Sequence, residues 1–144
     1  MSAYLDSSAL VKLLINEPQS DALWTTMEAA TPTTCRISYA EACAALARRE
    51  RELPDAIDTW IAARARLAQY WAYVQILEVT QPLVEQAGEY AAAFSLRAYD
   101  AVQLAAAQLM RLTLQTPSLF LCYDRQLNRA ARAIGLRLPA DAPC

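Results

Sequence analysis

Apolar and polar positions along the chain switch repeatedly between a period of two and a period near 3.6, and the switches outline strands alternating with helices. Ala3 to Asp6 opens as a short apolar strand. Ser7 or Ser8 then stands where a cap is needed before the apolar run Ala9 to Ile15, which ends at Pro18. Leu23, Trp24 and Met27 recur at helical spacing within Ser20 to Ala29, and Thr31-Pro32 breaks that helix. A β-branched strand over Thr34 to Ile37 leads into a helix over Ser38 to Arg49, with Tyr39, Ala42, Cys43 and Leu46 on one face. Pro54 is placed to open a longer helix toward Tyr70, and Val74 to Val79 reads as a strand. Thr80-Gln81-Pro82 starts a helix that runs to about Phe94. Asp100 to Leu112 is a further helix, Leu119 to Cys122 the last strand, and Arg125 to Ile134 the last helix, closed by Gly135.

This alternation predicts a small, mostly parallel sheet covered on both faces, a three-layer α/β/α architecture. A chain of 144 residues, 56% of them hydrophobic, has material for one core and too little length for two, so residues 1–144 are expected to form a single domain. No repeat, low-complexity tract or linker divides it. The longest apolar runs, Ala9 to Ile15 and Ala101 to Ala107, are broken by Lys12 and Gln103 and fall well short of the roughly 20 residues of a membrane span. No basic, apolar leader precedes Asp6, so a soluble protein in the cytoplasm is expected. The four cysteines show no paired or zinc-ligand spacing, and Cys35, Cys43 and Cys122 read as small core residues.

Charge and absences then narrow the chemistry. A net charge of −2 lacks the strongly basic signature of many nucleic-acid-binding domains, which leaves that question to local charge. Lys12 is the only lysine, and the remaining basic residues are arginines, which suit bidentate phosphate contacts. There is no histidine, which removes Ser-His and Cys-His nucleophiles, histidine-based acid–base nucleases and histidine-ligated zinc. With Gly88 and Gly135 the only glycines, no glycine-rich loop can cradle a nucleotide phosphate. Carboxylates remain, and hard divalent cations are what they bind best.

Four acids occupy the places where a parallel sheet binds ligands, beyond the carboxyl ends of its strands. Asp6 ends the first strand, Asp124 follows the last, and Glu41 and Asp100 fall in the first turns of helices. Each also has a purely structural explanation. Ser38-x-x-Glu41 fits a capping box worth roughly 0.5–2 kcal/mol, and Asp100 and Asp124 fit helix N-termini at roughly 0.3–1 kcal/mol each. Asp6 fits capping less well, because the serine pair after it could do that work. Converging carboxylates repel one another unless a cation offsets them, so the four together favour a metal site.

These residues carry a family resemblance. Tyr4-Leu5-Asp6-Ser7-Ser8-Ala9-Leu10-Val11-Lys12 resembles the opening strand and turn of PIN-domain nucleases, particularly bacterial VapC-like toxins. Ile37 to Glu41, Leu96 to Ala105 and Phe120 to Leu127 resemble the family's later acidic motifs in the same order, and the likeness runs from about Ser2 to Leu138. Cys122 stands where the family usually has threonine or serine, and Gln103 where histidine is frequent, although glutamine can still donate a hydrogen bond. The resemblance implies an endoribonuclease that requires Mg2+ or Mn2+, acts as the toxin of a toxin–antitoxin pair and is held inactive by a small antitoxin. Together with the apolar positions of the early helices it also implies a homodimer.

On this reading Asp6 and Asp100 bind the metal, with Glu41 and Asp124 as direct or water-mediated ligands, and in-line attack leaves a 5′-phosphate and a 3′-hydroxyl. Ser8 either orients a carboxylate or caps the first helix. Lys12, Arg97 and Arg125 lie near the acids in sequence and are candidates for RNA phosphate contacts, with ordinary surface charge as the alternative. Trp24, Trp60 and Trp71 have apolar helical neighbours and read as packing residues. Competing readings are a non-catalytic RNA- or protein-binding module on the same fold, and a phosphoryl-accepting receiver-like domain. The latter needs a lysine near the last strand, where this chain has none.

Overall fold

The computed structural model describes residues 1–144. Its central sheet is built from β1 (Ser2–Leu5), β2 (Thr31–Cys35), β3 (Gln75–Leu77) and β4 (Ser118–Leu121), in the order β3-β2-β1-β4. All three pairings are parallel. Seven helices connect and cover the strands: α1 (Ser7–Leu14), α2 (Ser20–Glu28), α3 (Ser38–Glu52), α4 (Ile57–Trp71), α5 (Gln81–Phe94), α6 (Ala98–Leu114) and α7 (Arg125–Ala133).

The period-two alternation of β1 and β4 decides which helices each face of the sheet receives. Tyr4 and Phe120 point to one side, where they pack with Cys35 against Leu83 and Ala87 of α5, Leu104 of α6 and Leu127 of α7. Ala3, Leu5 and Leu121 point to the other, against Ala9 and Leu13 of α1 and Leu23 and Met27 of α2. A further cluster, with Leu10, Leu14, Leu46, Trp60 and Leu67, attaches α3 and α4 to the outer side of α1. Residues 3–5 are fully buried, as expected for a central strand with helices on both faces. No helix is long and apolar enough to cross a membrane.

Several local boundaries differ from the sequence reading. β2 begins at Thr31, three residues early, and includes Pro32. Its partner β3 pairs only with Thr33 to Cys35, so the missing proline N–H faces no strand and costs no ladder bond. Pro54 lies in a turn, and α4 starts at Ile57; a fixed proline φ suits a turn as well as a first helical residue. Cys43 is exposed, whereas Cys35 and Cys122 are buried. Trp60 is buried and donates from Nε1 to the Leu53 carbonyl at 2.9 Å.

The chain places β2 and β3 on one side of β1 and returns to place β4 on the other. The strand order thus reverses between β1 and β4, and a crevice is expected beyond their carboxyl ends.

Candidate active site

Asp6 follows β1 directly, and its backbone N–H donates to the Leu121 carbonyl at 3.1 Å, tying it to the end of β4. Its side chain is 3% exposed. Oδ1 accepts from the Ala9 N–H at 2.9 Å and the Ser8 hydroxyl at 2.6 Å, so Asp6 itself caps α1. The expectation that a serine does the capping is therefore corrected: in the extended strand-end conformation the aspartate is one residue before the helix and reaches the free amide first. The Cys122 thiol lies against the same carboxylate. Burial pushes the Asp6 pKa up to about 6; the Ser8 and Ala9 hydrogen bonds oppose the shift, and the charge of Glu41 adds to it.

Ser8 serves Asp6 rather than the helix. Its Oγ donates to Asp6 and accepts the Tyr123 N–H at 2.9 Å, bridging the ends of β1 and β4. Cys122 also lies here, with its thiol accepting the Asp124 N–H at 3.3 Å. Burial pushes that thiol's pKa up strongly, so it is a neutral packing group.

Glu41 does not close a capping box. α3 begins without a side-chain cap. Ser38 is fully buried, exchanges a hydrogen bond with Thr34 at 2.8 Å and accepts from Gln103 Nε2 at 2.8 Å. Glu41 is held from two other elements: Ser7 Oγ donates to Oε2 at 3.0 Å, and Gln103 Nε2 donates to Oε1 at 2.7 Å. Gln103 is 1% exposed, and its Oε1 accepts from the Tyr4 hydroxyl at 2.6 Å. A buried polar chain thus runs from the middle of β1 through α6 to the Glu41 carboxylate. Burial raises the Glu41 pKa, and the charge of Asp100 adds to it.

Asp100 sits within the first turn of α6, which starts at Ala98, and caps nothing. Half-burial raises its pKa, the Asp124 charge raises it further, and Arg97 lowers it. Asp124 is exposed and caps α7, with Oδ1 accepting the Leu127 N–H at 2.7 Å. The four acids thus form an electrostatic series in which Glu41 acts on Asp6, Asp100 on Glu41 and Asp124 on Asp100. No three acidic or cysteine side chains close on a common point to make a ready-formed cage.

The sequence-derived cations are placed differently from one another. Lys12 pairs with Glu17 at 3.1 Å and lies 4.7 Å over the Tyr123 ring. Arg97 acts on Asp100, and Arg125 is exposed without a side-chain partner. Among Asp6, Glu41 and Asp100, the one cation whose charge registers is this Arg97. A cleft of about 830 Å³ borders the acids: Glu41 lines it directly, and Ser7, Tyr99 and Tyr123 do so beside Asp6, Asp100 and Asp124. Sequence reading missed Ser7, Tyr4 and Ser38 as partners of the site. The one available signal was Tyr4, a phenol in the middle of a buried strand, which needs a hydrogen-bond acceptor.

The PIN domain family model matches residues 3–133, nearly the whole chain. The chain belongs to the PIN domain family. Ribonuclease VapC49 of Mycobacterium tuberculosis is 37% identical over 146 residues, covering 94% of this chain and 92% of that protein. The fold is shared with VapBC2 from Rickettsia felis bound to a DNA fragment from their promoter, at a TM-score of 0.68, 13% identity and coverage of 96% and 98% of the two chains. A toxin–antitoxin complex from Klebsiella pneumoniae gives a TM-score of 0.58 at 19% identity, with 85% and 87% covered. In this PIN domain the acids lie at the reversal of strand order, where an α/β sheet of this kind receives its ligand.

Proposed function

We propose that this PIN domain is a metal-dependent endoribonuclease and the toxin of a toxin–antitoxin pair. Four carboxylates at the sheet's reversal point, three of them fixed by hydrogen-bond donors and all almost without protein cations, carry this reading. Buried and mutually repelling carboxylates raise the energy of the folded protein, and a divalent cation relieves that repulsion. The donors are hard oxygens, suited to Mg2+ or Mn2+. The lack of a closed cage fits Mg2+, which keeps several waters and takes one or two carboxylates. Asp6, buried at the end of β1, and Asp100, which caps nothing, would hold the cation, with Glu41 and Asp124 bound directly or through water. The chemistry a bound cation supplies is a lowered water pKa and charge relief on the phosphoryl oxygens.

The chain's own residues supply the positioning. Ser8 and the Ala9 amide fix the Asp6 carboxylate, and Ser7 and Gln103 fix both oxygens of Glu41. Arg97 moderates Asp100 and is available to a phosphate. In-line attack then leaves a 5′-phosphate and a 3′-hydroxyl.

The antitoxin partner is supported by the fold shared with toxin–antitoxin complexes and by the relatives named as VapC ribonucleases. A homodimer belongs to the same proposal, although Leu13, Leu14, Leu23 and Met27 of the early helices are buried in the protein's own core and Trp24 alone among their large apolar side chains is substantially exposed. Sedimentation at micromolar concentration checks it, and a monomer overturns the dimer alone. The nuclease itself is tested with purified protein and end-labelled RNA. Cleavage with Mg2+ or Mn2+, silenced by chelator and yielding 5′-phosphate ends, is expected; full activity in excess chelator overturns it.

A further inference from the structure

We propose that the cleft beside the acids is the path of a single RNA strand, in which Arg48 and Arg51 hold backbone phosphates and Tyr99 stacks on a base. This rests on the ribonuclease reading and adds where the substrate lies. The cleft follows one face of α3: Glu41 stands at one end, Ala44 and Ala45 in the middle, and Arg48, Arg49 and Arg51 at the other. At 1.5 Å per residue, Arg48 and Arg51 lie roughly 10 and 15 Å along the helix from Glu41, within reach of phosphates flanking the reacting one. The small alanines between them leave room for a chain to lie against the helix.

The cations in this cleft are not equivalent. Lys12 and Arg49 both pair with the single carboxylate of Glu17, so both are tethered within the protein and their combined charge is only partly offset. Arg48 and Arg51 are exposed, line the cleft and make no ion pair or side-chain hydrogen bond. A guanidinium held in this way presents its fork of donors to a phosphate. Arginine charge at one end anchors the strand, and the carboxylates at the other repel its phosphates until a cation is bound there. Tyr99 lines the same cleft next to Asp100 and is 59% exposed, which leaves its ring open to stacking by a base that enters the cleft. Phosphate-binding arginines beside an open aromatic ring are the two components of sequence-tolerant single-strand binding.

The test measures binding of a labelled single-stranded RNA by fluorescence anisotropy in Mg2+, on an Asp100→Asn background that suppresses cleavage. Arg48→Ala and Arg51→Ala are each expected to weaken binding several-fold and to lower the slope of log K against log salt by about 0.7. Tyr99→Ala is expected to weaken it roughly 5- to 150-fold without changing the slope, with Tyr99→Phe restoring affinity. Arg64→Ala, off the cleft, should change neither. All four sites are exposed, and melting curves verify folding. Unchanged affinity and slope in both arginine variants, from a parent that cleaves RNA, overturns the path and leaves the nuclease reading standing. A parent that neither binds nor cleaves RNA overturns both. Variants that bind RNA normally but lose binding to a polyglutamate peptide identify the cleft as a protein-docking groove and overturn the proposal.

Discussion

Replacing Asp6 by asparagine removes one buried negative charge and little else. The side chain is 3% exposed, and its folded-state pKa is raised to about 6 from an ordinary value of 3.8. At about 1.4 kcal/mol per pKa unit, ionised Asp6 destabilises the metal-free protein by about 3 kcal/mol at pH 7. Because the folded-state value is the higher one, the folded protein binds the proton more tightly than the unfolded chain. Stability is fully present below about pH 4 and is lost as pH rises toward 6. Asparagine keeps an oxygen for the Ala9 amide and the Ser8 hydroxyl and caps a helix about as well as aspartate. In chelator, Asp6→Asn should therefore match the parent near pH 4 and exceed it by about 2–3 kcal/mol at pH 7, or about 5–10 °C in Tm for a domain of this size. Thermal unfolding from pH 4 to 8 measures the difference. A variant that melts below the parent by the same amount at every pH would show instead that the carboxylate acts as a structural acceptor with no penalty for its charge.

Asp100→Asn should abolish RNA cleavage while leaving the metal-free protein at least as stable as the parent at neutral pH, since half-burial and Asp124 both disfavour its charge; retained activity would reduce Asp100 to a structural residue. Gln103→Leu strands the Tyr4 hydroxyl and removes a donor from Glu41, so it should cost about 1–3 kcal/mol for each buried polar group left unpaired and lower kcat. Tyr4→Phe should cost less and leave cleavage largely intact, and equal effects of the two on kcat would show that Gln103 does not act through Glu41. Ser8→Ala removes a donor that holds the Asp6 pKa down, so a carboxyl-resonance titration should place Asp6 above its present value of about 6. A titration that stays in place would remove Ser8 from that role.

Local chemistry carried most of the fold into view from the sequence. Each strand and helix appears where the period changes, with ends displaced by a few residues. The displacement at Pro32 arose because the short reach of β3 is a property of the folded sheet and not of the peptide. At the site, the four acids were legible because they stand beside strand ends and helix starts. Their roles were less so. Ser38-x-x-Glu41 has the form of a capping box, yet Ser38 is drawn into the core by Thr34 and Gln103 and Glu41 is released to the cleft. Tyr4 and Gln103 are 99 positions apart, and their hydrogen bond exists only because β1 and α6 pack face to face. Arg48 and Arg51 are indistinguishable from Arg49 in sequence; Glu17, contributed by a distant loop, matches Arg49 and leaves the other two free.

Cooperation of these carboxylates in binding one divalent cation is measured by calorimetric titration of Mn2+ into chelator-stripped protein. The parent is expected to bind, with affinity at least about tenfold weaker in Asp6→Asn and in Asp100→Asn, and to gain Tm in Mn2+ while both variants gain much less. Equal affinity and equal thermal shifts in all three proteins would contradict that cooperation.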